Sequence, residues 1–366
     1  MRILIAPDKF KGSLDARQVA GNIAAGLREI LPEAIIDTMP VADGGEGTAE
    51  VIRQACGGEA VKCGAHDALG REIEASYVWL GDRTTAVMEM SAAAGMWRIA
   101  PEERDLLRAD TFGVGEMIRD GSTRGATEIL IGLGGSATND GGLGMAQALG
   151  FRFLANEHVV ETPGALSNLA RIEKPARRLP AIITAAVDVR NPLLGPRGAT
   201  RTFGPQKGGT PEQLEILENG LKRLADVVAN DLGRDFRDTP GAGAAGGLGF
   251  GLMSFCGATI KSGFEVVAEF IGLKAAIAKA DVVITGEGRL DEQSLEGKAP
   301  AGVARLAREA GKRVFAVAGS ATEAPEVHAI FNGIVVLARP PITAEESIAR
   351  APELLQERAR ELAQMM

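Results

Sequence analysis

Residues 128–150 read EILIGLGGSATNDGGLGMAQALG, and this stretch indicates the fold class. A short apolar strand runs into a turn rich in glycine, and the turn leads into a segment with helical character. Glycine after a parallel strand lets the backbone turn sharply and approach a ligand closely. The following helix presents unpaired N–H groups and a partial positive charge to an anion, most often a phosphate. We therefore expect an α/β protein with an anion site at this turn.

The same alternation recurs at both ends of the chain and predicts an α/β fold with a parallel sheet. Most candidate strands are apolar on both faces, as in a sheet that helices cover on each side. Ser13 is a predicted N-cap for a helix that Pro32 ends. Thr210 is predicted to cap a second helix that runs to Gly233. The candidate strands are residues 2–6, 34–39, 128–133, 181–187, 281–285, 313–318 and 333–338.

The middle of the chain has a different pattern, which predicts two domains. Residues 60–90 resemble antiparallel strands with a turn at Gly81-Asp82, and residues 155–180 are polar and contain proline. We expect residues 1–62 and 262–366 to form one discontinuous α/β domain. Residues 63–261 are expected to form the second α/β domain, inserted into the first.

Composition excludes several classes of function. The chain has 366 residues, a net charge of -8 and 4% aromatic residues, so neither a basic face nor stacking platforms favour nucleic acid. Its apolar runs are too short for a bilayer, and Asp8 and Lys9 interrupt any signal peptide, so we expect a cytoplasmic protein without membrane association. Three scattered cysteines and three scattered histidines argue against disulfides and zinc. A homo-oligomer remains open.

Three glycine-rich turns each carry acidic residues. A carboxylate would repel a bare phosphate unless a cation lies between them, and Mg²⁺ has this role in phosphoryl transfer. We expect the turns to bind one magnesium–triphosphate group; a structural role as helix N-caps is the alternative for each acid. The predicted site residues are Gly134, Gly135, Ser136, Asn139 and Asp140 in the first turn, Glu287 and Asp291 in the second, and Asp43 in the third.

Two lysines are further candidates for the phosphate site. Lys11 follows the first strand, where an ammonium group would neutralise charge on a transferring phosphoryl group. Lys207 lies in GPQKGG, where the proline and glycines indicate a specific backbone conformation that an exposed lysine would not need. Lys9 is interpreted as a solvated surface residue.

A dinucleotide site is a competing interpretation of the first turn. Residues 132–137 fit the pattern GxGxxA after a strand, and Glu157 follows about 20 residues later. Against this interpretation, Asp140 places an acid where pyrophosphate needs backbone donors. The GAGAAG run at 241–246 also fits a glycine pattern, but no strand precedes it, so we expect a flexible or close-packed turn.

Six motifs together resemble the bacterial glycerate kinase family. They are APDKFKGSL, VADGGEGT, IGLGGSATNDGG, FGPQKGG, PGAGAAGG and VITGEGRLDEQS, in family order from residue 6 to about residue 303. The resemblance implies transfer of the γ-phosphate of ATP to glycerate with Mg²⁺, giving 2-phosphoglycerate. It also implies a flavodoxin-like α/β domain paired with a second α/β domain. Where the family commonly has a serine, this chain has Lys9, and Asp110 replaces a usual hydroxyl residue.

The predicted mechanism needs a base and a charge-neutralising group. Asp188 and Asp43 follow candidate strands, at the sheet edge where α/β proteins bind ligands. We expect Asp188 to be the base, Asp43 to lie close to the substrate, and Lys11 to neutralise the γ-phosphate. A nicotinamide-dependent hydroxy-acid dehydrogenase and a non-catalytic sugar-acid sensor are the alternatives.

Overall fold

The fold is described from a computed structural model for residues 1–156, 158–177, 179–292, 294, 298–322 and 324–366. Across these residues, no helix has the length and apolar character that crossing a bilayer requires. The strands are β1 (Arg2–Ile5), β2 (Ile35–Thr38), β3 (Glu59–His66), β4 (Glu72–Leu80), β5 (Thr85–Glu89), β6 (Glu128–Gly132), β7 (Arg152–Ala155), β8 (His158–Val159), β9 (Arg171–Glu173), β10 (Ile182–Val187), β11 (Thr259–Ser262), β12 (Val282–Leu290), β13 (Arg313–Ala321) and β14 (Gly333–Val336). The α-helices are α1 (Ala16–Ile30), α2 (Thr48–Cys56), α3 (Ser91–Ala94), α4 (Phe112–Thr123), α5 (Leu143–Ala148), α6 (Ala199–Phe203), α7 (Pro211–Leu232), α8 (Ala244–Gly251), α9 (Gly263–Phe270), α10 (Leu273–Lys279), α11 (Ala299–Glu309), α12 (Pro325–Ala329), α13 (Ala344–Ala349) and α14 (Ala351–Ala363).

The chain divides into two compact units. Unit 1 comprises residues 1–43, 50–56 and 262–366, and unit 2 comprises residues 44–49 and 57–261. The predicted boundary after residue 62 differs from this division. Residues 57–62 belong with unit 2 because β3 pairs with β4 along its whole length, from Glu59 opposite Trp79 to His66 opposite Glu72.

Unit 1 contains a five-stranded sheet in the order β14-β13-β12-β1-β2. Its strand pairs are all parallel. Ile3, Leu4 and Ile5 on β1 are each at most 2% exposed, so both faces of the strand are covered, as a parallel sheet requires. Ile23 of α1 and Leu355 of α14 belong to the apolar core on one face.

Unit 2 contains a mixed six-stranded sheet in the order β11-β10-β6-β5-β4-β3 and a small antiparallel sheet in the order β8-β7-β9. β6 is parallel to both β10 and β5, whereas β4 is antiparallel to β5 and β3. The expected antiparallel pattern of residues 60–90 is confirmed. Thr210 caps α7 in a capping box with Gln213, and Gly233 ends the helix in a left-handed conformation, as expected.

Two local predictions were wrong. The N-cap of α1 is Asp15, whose carboxylate accepts from the Gln18 backbone N–H at 2.8 Å. Ser13 lies in the preceding turn, and its hydroxyl donates to the carbonyl of Ile348 at 3.1 Å. The second glycine-rich turn begins later than predicted because β12 continues through Glu287 to Leu290, where it still pairs with β13.

Candidate active site

The turn after β6 is held by backbone bonds to its neighbours in unit 2. Leu133 N–H donates to the Ala186 carbonyl on β10 at 3.1 Å. On the other side, Ala137 N–H donates to the Ala94 carbonyl at 2.9 Å, and the Gly135 carbonyl accepts from Met96 N–H at 2.9 Å. Gly134 is half-buried and Gly135 is exposed, with a φ of +72° that favours glycine. The two predicted glycines therefore form the accessible part of a fixed turn.

Asp140 is inside the protein and fastens this turn. One carboxylate oxygen accepts from Thr111 N–H at 2.9 Å, Thr111 Oγ1 at 2.7 Å and Gly144 N–H at 3.0 Å, and the other accepts from Gly142 N–H at 3.0 Å. Burial raises the pKa of Asp140, and the donated bonds oppose that shift. The predicted ligand contact is corrected, because a side chain with 0% exposure and four internal donors positions the turn instead of meeting a ligand.

Asn139 has the same internal position. It is 0% exposed, and its Nδ2 donates to Thr200 Oγ1 at 3.0 Å. Among the described residues, its Oδ1 atom and the Thr138 hydroxyl have no hydrogen-bond partner although both are buried. The expectation that Asn139 helps to bind a phosphate stays a prediction, and its buried side chain instead supports the position of the turn.

Lys207 lies directly against the turn. Its ammonium group donates to Ser136 Oγ and to the Thr138 carbonyl, both at 2.7 Å, and the residue is 3% exposed. Burial lowers the pKa of Lys207 to about 7, and the nearby Asp140 opposes the shift. A single turn of 3-10 helix over Pro205–Lys207 and a left-handed Gly208 fix its backbone. The structure thus brings two of the predicted site residues, Lys207 and Ser136, into direct contact.

The GAGAAG run is a close-packed turn that packs against the glycine-rich turn after β6. Gly246 has a φ of +68°, and a Cβ added there would lie 2.0 Å from the Thr138 carbonyl oxygen. The Gly246 carbonyl also accepts from Gly141 N–H at 3.0 Å. The absence of a side chain at residue 246 therefore allows the backbone at 138–141 to keep its position.

A second glycine-rich segment, residues 44–49, packs on the same strand end of unit 2. A Cβ on Gly134 would lie 2.7 Å from the Gly45 Cα atom, so the two backbones approach closely. The carboxylate of Glu89 accepts from Gly47 N–H at 3.0 Å and Ala49 N–H at 2.9 Å, at the start of α2. A protein carboxylate therefore occupies the position at which we expected a phosphate.

Asp188 lies one residue beyond β10 and is exposed. In the register of the parallel strands β10 and β6, Ala186 is opposite Gly132. Asp188 lies two residues after Ala186, and Gly134 lies two residues after Gly132. The predicted base and the accessible part of the glycine turn are therefore at the same edge of the unit 2 sheet.

Unit 1 has a separate cluster of carboxyl groups. Asp8 follows β1, and its backbone N–H donates to the Gly286 carbonyl on β12 at 2.8 Å. Burial, with the negative charges of Asp43 and Glu287, raises the pKa of Asp8 to about 8. Burial also raises the pKa of Glu287 to about 7, with smaller contributions from Asp43 and Asp291. The Oε1 atom of Glu287 is buried and has no hydrogen-bond partner among the described residues.

The remaining predicted residues of unit 1 are less enclosed. Lys11 is exposed, while Lys9 is half-buried, and the backbone N–H and charge of Lys9 lower the pKa of Asp8, so Lys9 is not the fully solvated residue that we expected. Asp291 forms an ion pair with Arg289 at 3.2 Å and accepts from Ser294 N–H at 3.2 Å. Its carboxylate therefore holds a local turn.

The chemistry of the unit 1 carboxyl groups fits a divalent cation. The described residues include no group of three or more His, Cys, Asp or Glu side chains able to hold a metal ion alone. Mg²⁺ usually takes one or two carboxylates and completes its shell with water and phosphate oxygens, so it needs no such cage. Two observations fit a site of this kind. The Oε1 atom of Glu287 has no hydrogen-bond partner among the described residues, and the negative charges of Asp8, Asp43 and Glu287 repel one another.

Sequence reasoning missed three residues of these sites. They are Asp8, Glu89 and Thr111, whose hydroxyl bridges Asp140 and Met145 N–H. Asp8 carried a detectable signal, since it lies three residues after β1 and precedes two lysines. Glu89 is joined to its partners across about 40 positions of sequence, so local patterns do not reveal it. Glu157, which the dinucleotide interpretation needs, lies outside the described residues.

Comparison with known proteins is consistent with this architecture. The model of the glycerate kinase family matches residues 3–366. Glycerate kinase of Bacillus subtilis is 41% identical, over 99% of this chain and 97% of the relative. Glycerate 2-kinase of Escherichia coli is 45% identical over 88% of this chain and 86% of its own length. A crystal structure described as glycerate kinase 2 from Salmonella typhimurium LT2 matches with a TM-score of 0.87 and 42% identity, covering 100% of this chain and 97% of that one.

The chain has a mixed α/β fold in which a lysine contacts a glycine-rich turn, and its sequence is similar to known kinases. These features define a phosphotransferase. The protein is therefore an enzyme. The chain belongs to the glycerate kinase family, as its motifs from residue 6 onward indicated.

Proposed function

We propose that the protein transfers the γ-phosphoryl group of ATP to a hydroxyl group of D-glycerate and forms 2-phosphoglycerate. The family match over residues 3–366 carries this proposal. One relative, 45% identical, is named a glycerate 2-kinase, which favours the 2-position over the 3-position as the acceptor. A cytoplasmic location, a homo-oligomeric state and the lack of a nucleic-acid partner stay predictions.

In unit 2, the proposed anion contacts are Gly134, Gly135, Ser136 and Lys207. Lys207 supports this assignment because its pKa of about 7 lets it gain a proton when an anion arrives nearby. Gly135 is the exposed position of the turn and Gly134 is half-buried beside residues 44–49, and neither has a side chain that limits the approach of an anion. Asp140 and Asn139 are positioning residues in this proposal, because their side chains are bonded inside the turn.

Asp188 is the proposed general base. A hydroxyl of glycerate is a weak nucleophile, so a carboxylate that accepts its proton would assist attack on phosphorus. The exposure of Asp188 beside the glycine turn of unit 2 supports this role. Asp43 is the proposed neighbour of the substrate within unit 1, and Lys11 is the proposed neutralising charge.

In unit 1, Asp8 and Glu287 are the proposed residues that hold Mg²⁺. When bound, the ion would neutralise charge on the phosphate oxygens. The protein's own contribution is to keep these carboxyl groups close together before the ion arrives. Burial, with the neighbouring negative charges, raises the pKa of Asp8 and of Glu287.

The direct test is incubation of the protein with ATP, Mg²⁺ and D-glycerate, followed by measurement of ADP and by phosphorus NMR of the product. Release of ADP that depends on glycerate, with a signal from 2-phosphoglycerate, is the expected result. A 3-phosphoglycerate signal would contradict the assigned position. Formation of NADH from NAD⁺ and glycerate, without ADP, would instead favour a dehydrogenase, and binding of glycerate without either product would favour a sensor.

The base assignment has its own test in Asp188→Asn. We expect turnover to fall by roughly 10²- to 10⁴-fold while the apparent KM for glycerate changes little, because general-base catalysis acts mainly in the transition state. The matched control is Asp82→Asn, which removes an exposed carboxylate from a turn of the same unit. Turnover near the wild-type value in Asp188→Asn would show that another group accepts the proton.

A further inference from the structure

Unit 2 contains a cavity of about 820 Å³ that is distinct from the candidate active site. Thr123, the last residue of α4, and Ala148, the last residue of α5, both line it. The opposite end of α4 begins after Thr111, and the first turn of α5 donates hydrogen bonds to Asp140, both in the candidate active site. Since α4 has 12 residues at a rise of about 1.5 Å each, its length of roughly 18 Å separates the two regions.

Part of the lining of this cavity is apolar and partly aromatic. Phe151 and Phe255 line it, and their ring centroids are 5.1 Å apart in an edge-to-face arrangement. Leu149 and Leu179 add aliphatic surface. The volume falls within the range of about 300 to 1,000 Å³ that is typical of sites for small organic molecules. These side chains favour a ligand with an aromatic or aliphatic body.

The charge of the lining is strongly positive. Arg119, Lys174, Arg177 and Arg234 line the cavity, and its described lining residues include no Asp or Glu. This concentration of cations is notable in a chain whose net charge is -8. Arg234 is held in place, because its guanidinium donates to the Ser254 carbonyl at 3.0 Å. Clustered cations beside low-dielectric walls focus the electrostatic potential and attract anions.

A polar atom in the same cavity has an unsatisfied hydrogen bond. Ser254 lines the cavity and is 2% exposed, and its hydroxyl oxygen has no hydrogen-bond partner among the described residues. A buried hydroxyl without a partner is unfavourable, and a ligand that accepts its proton would remove this penalty. An anionic head group would serve as such an acceptor.

We propose that this cavity is a second binding site, for a small organic anion with an aromatic or aliphatic body. The anionic group, a carboxylate, phosphate or sulfonate, contacts the cluster of arginine and lysine side chains. The apolar body packs on the two phenylalanines. This site is independent of the proposed kinase reaction, so its test does not depend on turnover.

The experiment uses two fluorescent probes of nearly the same shape, titrated into the full-length protein. Anilinonaphthalene sulfonate has the anionic group, and N-phenylnaphthylamine is its neutral counterpart. The variant carries both Lys174→Glu and Arg177→Glu, two exposed positions whose reversal leaves the core intact. The control is Lys274→Glu, an exposed position on α10 in unit 1.

We expect one molecule of the sulfonate probe per chain and a Kd that rises about tenfold or more in the double variant, which corresponds to about 1.4 kcal/mol. The neutral probe should change less than about twofold, because it senses only the apolar part of the lining. The control should match the wild type with both probes. An unchanged sulfonate Kd in the double variant, or displacement of the probe by saturating ATP and glycerate, would overturn the proposal.

Discussion

Replacement of Lys207 by methionine tests how burial of this lysine affects stability. Burial lowers its pKa from 10.5 to about 7 in the folded protein. Between these two values the unfolded chain keeps the lysine proton and the folded chain releases it. The unfolded state then binds more protons, so the contribution of Lys207 to the free energy of unfolding rises with pH. Lys207→Met removes this dependence.

The size of the effect follows from the two pKa values. One pKa unit corresponds to about 1.36 kcal/mol, and the folded lysine is half-titrated near pH 7. From about pH 7 to about pH 9, the free energy of unfolding of the wild type should therefore rise relative to Lys207→Met by about 2 kcal/mol. In Lys207→Met, the Ser136 and Thr138 oxygens also lose their donor. This loss lowers the free energy of unfolding by the same amount at every pH.

The measurement is urea unfolding followed by tryptophan fluorescence. Trp79 and Trp97 both lie in unit 2, so the signal reports the unit that contains Lys207. Lys222→Met is the matched control, because Lys222 is an exposed lysine on α7 of the same unit and should show the same difference at both pH values. If wild type and Lys207→Met change in parallel with pH, the lysine titrates normally and the argument from its burial is wrong.

Two further predictions concern the packing of the glycine turn. Gly246→Ala should lower the free energy of unfolding by about 2–4 kcal/mol more than Gly233→Ala, because both positions have positive φ but only residue 246 would force a Cβ onto the Thr138 carbonyl. Equal losses in urea titrations would show that the turn moves aside without cost. Asp140→Ala should cost about 3–5 kcal/mol, since its four donors lose their acceptor, whereas Asp140→Asn should cost about 1–3 kcal/mol. Thermal and urea unfolding would measure this order, and a larger loss in Asp140→Asn would contradict it.

The fold was largely predictable because its signals are local. Strands such as residues 128–132 and 182–187 are apolar on both faces, and the Thr210 capping box with Gly233 delimits α7. The extension of β12 to Leu290 was not predictable in this way. Glycines at 286 and 288 resemble a turn in sequence, but β13 pairs with the strand through this region and keeps it extended.

The site was less predictable because its decisive contacts are long-range. A carboxylate near a helix N-terminus has the same sequence pattern whether it binds a ligand ion or fills the terminus itself. Asp140 accepts from the first turn of α5 and also from Thr111, which lies 29 positions earlier at the start of α4, and Glu89 fills the terminus of α2 from about 40 positions away. Lys207 was identified because the proline and glycines around it in sequence implied a specific backbone conformation.

The interleaving of the two units along the chain limits how the protein can be dissected. The polypeptide passes between them after residues 43, 49, 56 and 261, so a single cut releases neither unit. A recombinant fragment of residues 57–261 would lack the short segment that covers Gly132 and Gly134, where added Cβ atoms would meet Gly44 and Gly45. In such a fragment, the backbone at Gly132 and Gly134 should be exposed to water. Co-expression with a peptide of residues 44–49 should cover this backbone again.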